Sequence, residues 1–264
     1  MTVPSLKIGI AGISGRVGRL LAEEVIGAGF ILAGGSARHP SSVKGLLANV
    51  PLFADFSALA DASDVVIDFT HADTSARHAE ILADYGKALV LGTTGLSPEQ
   101  EAAVKAAAKK IAVVHAANFS PGVTLVRRLA RMMGQALPAE SYDVEIVEMH
   151  HRQKVDAPSG TALAIGESVA DGRGVSLADV KDSGRDGHTG ARKTGDIGFA
   201  ALRGGQIVGE HEVMFTSADE QIRLSHRAFD RRIFATGAVR AADWVRNQPA
   251  GYFGMEDVLG LPPL

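Results

Sequence analysis

The chain has 264 residues, 46% hydrophobic and 22% charged, an ordinary composition for a soluble globular protein with room for one large or two modest domains. Its net charge of −3 gives no overall attraction to nucleic acid or to an anionic membrane, so we predict neither as a partner. The absence of cysteine excludes disulfides, thiolate nucleophiles and cysteine-ligated metal sites.

The first half of the sequence alternates strand-like and helix-like segments. Apolar runs at 6–11, 30–35, 64–69, 88–91 and 111–115 predict buried strands, and residues 16–28, 74–85 and 97–110 have helical character. This alternation indicates a Rossmann-like, doubly wound α/β fold whose parallel sheet is covered on both faces. Since the first strand leaves no room for a signal peptide and no apolar run has the length of a membrane span, we expect a cytoplasmic protein.

The pattern changes after about Val123. A predicted helix at 124–137 leads into a half-exposed strand at 142–150, and further strands follow at 197–202, 206–215 and 221–226. Because no helix separates these last strands, they indicate a second α+β domain with an open mixed sheet. Residues 182–196, which are glycine-rich and charged, predict a mobile loop, and residues 231–245 return to helical periodicity.

Three glycines follow the first predicted strand and open the first helix. Gly12, Gly15 and Gly18 have the spacing Gly-x-x-Gly-x-x-Gly rather than the commoner Gly-x-Gly-x-x-Gly. Between strand and helix, glycines allow backbone N–H groups to approach a pyrophosphate, which the helix N-terminus also favours. The context favours dinucleotide binding, and the alternative is a tight strand–helix turn without a ligand.

The residues after the second strand bear on the choice of cofactor. An NAD site usually has an acidic residue there, whereas residues 31–45 contain none and offer Arg38, His39 and Lys44. A guanidinium suits the 2′-phosphate of NADPH, so we favour NADPH over NADH. The alternative is that Arg38 is only a solvated loop residue.

Two later loops follow predicted parallel strands, at the sheet edge where such folds bind ligands. Gly92-Thr93-Thr94-Gly95 follows the fourth strand and Ala116-Ala117-Asn118-Phe119 the fifth. Either loop could line the nicotinamide and its ribose, and either could be a polar turn without such a role.

Residues 145–162 concentrate proton donors beside a predicted helix start. His150, His151 and Lys154 precede the segment Pro158-Ser159-Gly160-Thr161, a predicted helix start whose N–H groups, those of Gly160 and Thr161 among them, would receive an anion. The two imidazoles should point to opposite faces unless the strand ends at His150, so they should not share one role. Such a set suits acid catalysis in the reduction of an anionic substrate. A solvated cationic turn is the alternative, and we predict no metal site because Glu148 and His150 have no companions at ligand spacing.

The sequence resembles the 4-hydroxy-tetrahydrodipicolinate reductase (dihydrodipicolinate reductase) family of diaminopimelate and lysine biosynthesis. The segment from Glu145 to Ala162, Glu-Ile-Val-Glu-Met-His-His-Arg-Gln-Lys-Val-Asp-Ala-Pro-Ser-Gly-Thr-Ala, is similar to its signature without essential departure. The resemblance extends in order through residues 10–18, Asp68-Phe-Thr70, Gly92-Thr-Thr-Gly95, Ala117-Asn-Phe-Ser120 and Gly209-Glu-His211. It therefore spans nearly the whole chain.

The resemblance implies two domains and a homotetramer assembled through the substrate domains. The dinucleotide-binding domain would comprise residues 1–121 completed by 231–264, and residues 122–230 would bind substrate. Many members have an acidic residue where this chain has Ala37, which agrees with the preference for NADPH while leaving NADH possible.

The resemblance also implies roles for particular residues. His150 and Lys154 would be the proton donors, and His151, Gly160 and Thr161 would bind the substrate. The cofactor would be bound by three segments together with Arg38: Gly12, Ile13, Ser14, Gly15, Arg16 and Val17; Gly92, Thr93 and Thr94; and Ala116, Ala117, Asn118 and Phe119.

The resulting hypothesis is an NAD(P)H-dependent oxidoreductase acting on a small cyclic dicarboxylate. It would convert (2S,4S)-4-hydroxy-2,3,4,5-tetrahydrodipicolinate to 2,3,4,5-tetrahydrodipicolinate and water. Two alternatives are another dehydrogenase of amino-acid pathways, of the homoserine or aspartate type, and a regulator that senses NADPH without turnover. The homoserine- or aspartate-type alternative gives no reason for the segment His-His-x-x-Lys, and an assay of NADPH oxidation would separate the regulator from an enzyme.

Overall fold

The computed structural model describes residues 5–38 and 49–264, and the chain divides into two compact units. Unit 1 comprises residues 1–120 and 232–263, and unit 2 comprises residues 121–231 with Leu264. Within the described residues, no helix is long and apolar enough to cross a membrane.

The amino-terminal part of unit 1 alternates strands with helices. Its elements are β1 (Lys7–Ala11), α1 (Arg16–Gly27), β2 (Ile31–Ser36), β3 (Leu52–Phe53), α2 (Phe56–Ala62), β4 (Val65–Asp68), α3 (Ala72–Tyr85), β5 (Ala88–Leu91), α4 (Pro98–Ala107) and β6 (Ala112–His115).

Unit 2 begins with a helix and contains most of the longer strands. Its elements are α5 (Pro121–Ala136), β7 (Asp143–His150), α6 (Gly160–Arg173), α7 (Leu177–Val180), β8 (Lys181–Ser183), β9 (Ile197–Arg203), β10 (Gly209–Thr216) and β11 (Gln221–Ala228). The chain then returns to unit 1 with α8 (Arg232–Val245), β12 (Gly251–Phe253) and α9 (Met255–Val258).

Unit 1 is built on a seven-stranded parallel sheet in the order β12-β6-β5-β4-β1-β2-β3. Alternate residues of its strands enter two different cores: Val65 and Ile67 of β4 pack with α1 and α8, whereas Val66 packs with α2, α3 and α4. Since neighbouring strand residues point to opposite faces, helices cover both faces of the sheet. The strand order reverses between β1 and β4, and ligands of such sheets bind at that reversal.

Unit 2 contains a five-stranded mixed sheet in the order β11-β10-β7-β9-β8. Strand β10 is antiparallel to β7 and β11, whereas β9 runs parallel to β7 and β8. Helices α5 and α6 cover one face, where Val144, Ile146, Val213 and Phe215 are fully buried. The predicted fold class, a Rossmann-like sheet with a second α+β domain, is confirmed.

Besides the short elements α7, β12 and α9, which were not predicted, two segments differ from the sequence-based expectation. Residues 52–62 contain β3 and α2, which are too short for the hydrophobic periodicity to reveal. The loop predicted at 182–196 begins instead as strand β8, which pairs with β9, and Arg185 and Arg192 bind Glu145 beyond it. The loop prediction was therefore wrong for residues 182–183, whose pairing with β9 local composition does not reveal, whereas residues 184–196 contain no helix or strand.

Candidate active site

The glycine turn of unit 1 is tied to the end of the neighbouring strand. The N–H groups of Gly12 and Ile13 each donate to the carbonyl oxygen of Ser36 at 3.0 Å. Gly12 has a φ of +77°, in the left-handed region that glycine adopts without strain. Gly15 is the N-cap residue of α1, so the first N–H groups of that helix, from Arg16 onward, face this turn.

A cavity of about 480 Å³ adjoins the turn at the strand-order reversal. Four residues predicted to bind the cofactor line it: Gly12, Ser14, Gly15 and Arg38. The Ile13 side chain is fully buried in the core instead, so only its backbone can face a ligand. His39 and Lys44, also considered as cations for this site, lie outside the described residues.

The same cavity is also lined by Phe56, Phe69, Thr70 and His78, to which the sequence assigned no role. Asp68 is fully buried; its carboxylate accepts hydrogen bonds from the backbone and hydroxyl of Thr70 and lies 2.8 Å from His78 Nδ1. The His78 ring stacks on Phe56, with ring centroids 3.8 Å apart. These contacts fix the loop after β4, which lines the cavity together with His78 and Phe56.

The other two predicted cofactor segments lie at the ends of adjacent strands β5 and β6. Thr94, Ala116 and Ala117 line a smaller cavity of about 210 Å³. Thr93 is 5% exposed, and its buried Oγ1 has no hydrogen-bond partner. At Gly92, an added Cβ would lie 2.3 Å from the Phe69 ring, so a side chain there would displace it.

Asn118 and Phe119 occupy structural positions in the second of these loops. The Asn118 side-chain oxygen accepts a hydrogen bond from the backbone of Ser120 at 2.8 Å. Phe119 is 1% exposed and packs against Phe69, with ring centroids 5.4 Å apart. Any contact of Phe119 with a cofactor would therefore be through its backbone.

The imidazole pair of unit 2 is divided by the end of a strand. His150 is the last residue of β7 and is 9% exposed, whereas half-buried His151 begins the following loop. The buried Nδ1 of His151 has no hydrogen-bond partner. Because β7 ends at His150, strand alternation does not set the orientation of His151. A strand that ends at His150 was the stated exception to the prediction of opposite faces.

The rest of the predicted site lies in the loop after His151 and the helix that follows. Lys154 Nζ donates to both carboxylate oxygens of Asp156, at 2.8 and 2.9 Å. Ser159 caps α6 by accepting a hydrogen bond from Ala162 N at 3.2 Å, and Gly160 is the first residue of that helix. The bond between Ala157 and Pro158, just before the cap, is cis.

A buried carboxylate joins these residues. Oε2 of Glu148 lies 2.6 Å from His150 Nδ1 and accepts from Arg203 at 2.8 Å. Oε1 accepts from Arg203 at 2.7 Å and from the Ser159 backbone at 3.0 Å. Ser159 Oγ in turn lies 3.0 Å from His211 Nε2.

Burial lowers the pKa of both imidazoles in this cluster. Burial lowers the pKa of His150, which Glu148 opposes and the charges of Lys154 and Arg203 reinforce. Burial, reinforced by the charge of His150, lowers the pKa of His211 to about 4. Both imidazoles are therefore predominantly neutral near pH 7.

The structure thus places the predicted residues in two groups, one in each unit. Glu148, Arg203 and His211 were not predicted as members of the site. Strand alternation could have identified Glu148, which shares a face with His150, whereas Arg203 comes close only through the pairing of β9 with β7.

Comparison with known proteins gives matches along the whole chain. Family models described as dihydrodipicolinate reductase, N-terminus and C-terminus, match residues 6–119 and 122–259. The 4-hydroxy-tetrahydrodipicolinate reductases of Gluconacetobacter diazotrophicus and Acidiphilium cryptum are 64% and 61% identical, each over 99% of this chain and 100% of the relative.

A solved structure shares the fold. It is a dipicolinate-bound dihydrodipicolinate reductase from Paenisporosarcina sp. TG-14, which matches with a TM-score of 0.78 over 96% of this chain and 99% of its own. Its sequence identity is 24%.

Proposed function

The chain belongs to the dihydrodipicolinate reductase family, and we propose that it reduces (2S,4S)-4-hydroxy-2,3,4,5-tetrahydrodipicolinate to 2,3,4,5-tetrahydrodipicolinate and water. The reaction would serve diaminopimelate and lysine biosynthesis in the cytoplasm. The observation that carries this proposal is the match of both family models, which together cover residues 6–119 and 122–259.

The residues of unit 1 suit a nicotinamide dinucleotide. No side chain caps the N-terminus of α1, so its first N–H groups can bind a pyrophosphate. The glycine turn lets that pyrophosphate approach the backbone beside the cavity of about 480 Å³. The unpartnered hydroxyl of Thr93 offers a hydrogen bond to the nicotinamide half, near Thr94, Ala116 and Ala117. Bound there, NADPH would supply the hydride.

The preference for NADPH would depend on Arg38. We expect Arg38→Ala to raise KM for NADPH about tenfold or more and to leave KM for NADH nearly unchanged, because only NADPH carries the 2′-phosphate. Steady-state kinetics with both cofactors measure this ratio. Arg77→Ala removes a mostly exposed arginine from α3 and serves as the control. If Arg38→Ala leaves the ratio of kcat/KM for NADPH to kcat/KM for NADH unchanged, Arg38 does not bind the 2′-phosphate.

The residues of unit 2 suit an anionic substrate that must receive a proton. His150 and Lys154 are the proposed proton donors, with His151, Gly160 and Thr161 as substrate contacts. The buried Nδ1 of His151, which has no hydrogen-bond partner, supports such a contact. At Gly160 an added Cβ would meet nothing within 4 Å, so a substrate carboxylate has space at the start of α6.

The test of the function is NADPH oxidation with substrate made in situ by the preceding synthase. We expect turnover by the wild type and a fall in kcat of about 10²–10⁴-fold in His150→Gln with little change in KM, since general acid catalysis has that magnitude. His188→Gln, at an exposed position, is the control. A near-normal kcat in His150→Gln would remove His150 from the mechanism.

Absence of turnover by the wild type, with NADPH still bound, would favour a sensing regulator instead. Turnover of homoserine- or aspartate-type substrates, with none of the dihydrodipicolinate precursor, would favour another dehydrogenase.

The proposed homotetramer would use the open face of the unit 2 sheet. Opposite the face covered by α5 and α6, Val147, Met149 and Met214 are half-buried and Leu202 is 53% exposed. Apolar side chains grouped on one sheet face suit burial against a second copy of the chain.

A further inference from the structure

Glu148 is a buried charged side chain to which the proposed reaction gives no role. It is 0% exposed, and strand alternation places it on the same face of β7 as His150. Each of its oxygens takes part in two polar contacts, so the four contacts hold the carboxylate between β7, β9 and the cap of α6. A carboxylate held this way cannot rotate without breaking several contacts.

Glu148 is ionised at neutral pH. Burial raises its pKa, but hydrogen bonds from Arg203 and His150 and their charges outweigh burial and hold the pKa below the ordinary value. Arg203 is always charged and binds both carboxylate oxygens, so the buried negative charge is neutralised by a partner other than His150.

The ionised carboxylate determines which nitrogen of His150 carries the proton. A carboxylate only accepts hydrogen bonds, so the His150 Nδ1 beside it must be a donor. In the neutral imidazole the other nitrogen, Nε2, is then unprotonated. Proton exchange with a substrate is thereby confined to Nε2.

Gly209 on β10 keeps the space beside that nitrogen open. An added Cβ at this position would lie 3.0 Å from His150 Nε2 and 3.4 Å from Cδ2. Gly209 is not among the glycines with a positive φ, so access to the imidazole, rather than backbone conformation, explains a glycine here.

We infer that Glu148 is a positioning residue that holds the proton on His150 Nδ1, so that Nε2, left accessible by Gly209, is the atom that transfers a proton to the substrate. The inference rests on the proposed function. Nε2 of the neutral ring first takes up a proton from solvent, which gives the imidazolium. In the transfer to substrate its Nε2–H bond breaks, the electron pair of that bond stays on nitrogen, and the proton bonds to the reduced substrate. The neutral imidazole that remains keeps its Nδ1–H contact with Glu148.

The charged and titratable groups acting on His150 come from four places. Glu148 lies on its own strand, Lys154 in the following loop, Arg203 on β9 and His211 on β10. Only Glu148 favours the protonated imidazole. Its removal should therefore lower the pKa of His150 and move the alkaline limb of the kcat profile to lower pH.

The test combines nitrogen-15 NMR of the imidazoles with kinetics of Glu148→Gln. The His150 signals are identified by their loss in His150→Gln. In the neutral wild-type ring we expect Nδ1 protonated and Nε2 bare. In Glu148→Gln we expect the other tautomer to become populated, kcat to fall about 10²–10⁴-fold and KM for NADPH to stay constant.

Glu145→Gln is the matched control. Glu145 lies on the same strand and also binds arginines, Arg185 and Arg192, but it belongs to the other sheet face. We expect this variant to keep the wild-type tautomer and pH profile. An equal loss of kcat with the same shift in pH profile in Glu145→Gln would overturn a specific role for Glu148.

Three further results would each overturn the inference: a neutral wild-type ring with its proton on Nε2, an unchanged tautomer in Glu148→Gln, or a kcat of Glu148→Gln within about twofold of wild type. If Glu148→Gln does not fold, the wild-type spectrum still decides, and Gly209→Ala should lower kcat while the tautomer stays the same. A wild type that never turns over the substrate would overturn the proposed function, whereas the NMR result would still decide whether Glu148 sets the tautomer.

Discussion

Gly18, the third glycine of the opening triplet, lies inside α1 and matters for packing, whereas Gly12 and Gly15 belong to the turn before that helix. An added Cβ at this position in α1 would lie 2.2 Å from the carbonyl oxygen of Gly12 and 2.8 Å from Ile13 Cα. Those atoms are backbone and cannot move aside as a side chain could. The glycine therefore sets how closely α1 approaches the turn after β1.

Gly18→Ala should lower the free energy of unfolding by about 1–3 kcal/mol or more, because it overpacks a rigid contact. Gly27→Ala, in the same helix, has nothing within 4 Å of the added Cβ. This control should be neutral or stabilising by about 0.5–1 kcal/mol, because alanine is the better helix former. Urea denaturation measures both variants, and equal stabilities would show that the close contact is not decisive.

At the scale of the element, the segment after β8 is shaped by Arg192. Its guanidinium donates to the side chains of Glu145 and Asp143, each at 2.9 Å, and to the carbonyl oxygen of Val144 at 2.8 Å. It also donates to the carbonyl oxygens of Lys193 and Asp196 in its own segment. One side chain thereby fastens the segment to β7, which sequence composition did not indicate.

Arg192→Ala should release this segment. Hydrogen bonds to charged groups contribute roughly 1.5–3 kcal/mol, so we expect amide exchange across residues 184–196 to quicken by about tenfold or more. Lys193→Ala, which removes the exposed neighbouring cation, should leave exchange unchanged. Hydrogen–deuterium exchange with mass spectrometry distinguishes the two, and the same exchange in both variants would show that Arg192 does not anchor the segment.

For the molecule as a whole, the proposed tetramer would form through the open sheet face of unit 2. Leu202→Glu places a charge among its apolar side chains and should convert the proposed tetramer to smaller species, because burying an unpaired charge is costly. Leu129→Glu, on helix α5 of the same unit, alters a leucine that is 42% exposed and should leave the assembly unchanged. Sedimentation velocity gives both masses, and a wild-type monomer would disprove the tetramer.

The sequence alone was enough to predict the alternation of strands and helices in unit 1, the glycine turn and the cap at Ser159, because each leaves a local pattern in the chain. The apolar run Val65-Val66-Ile67 predicts a strand buried on both faces, and Val66 indeed packs against helices opposite those that bury its neighbours. Only the tertiary structure could reveal the partnership of Glu148 with Arg203. Those residues are 55 positions apart, and the parallel pairing of β7 with β9 decides that they meet. Pairing between distant strands leaves no local periodicity, so the ion pair that keeps the Glu148 carboxylate charged was not predictable from its neighbours in the chain.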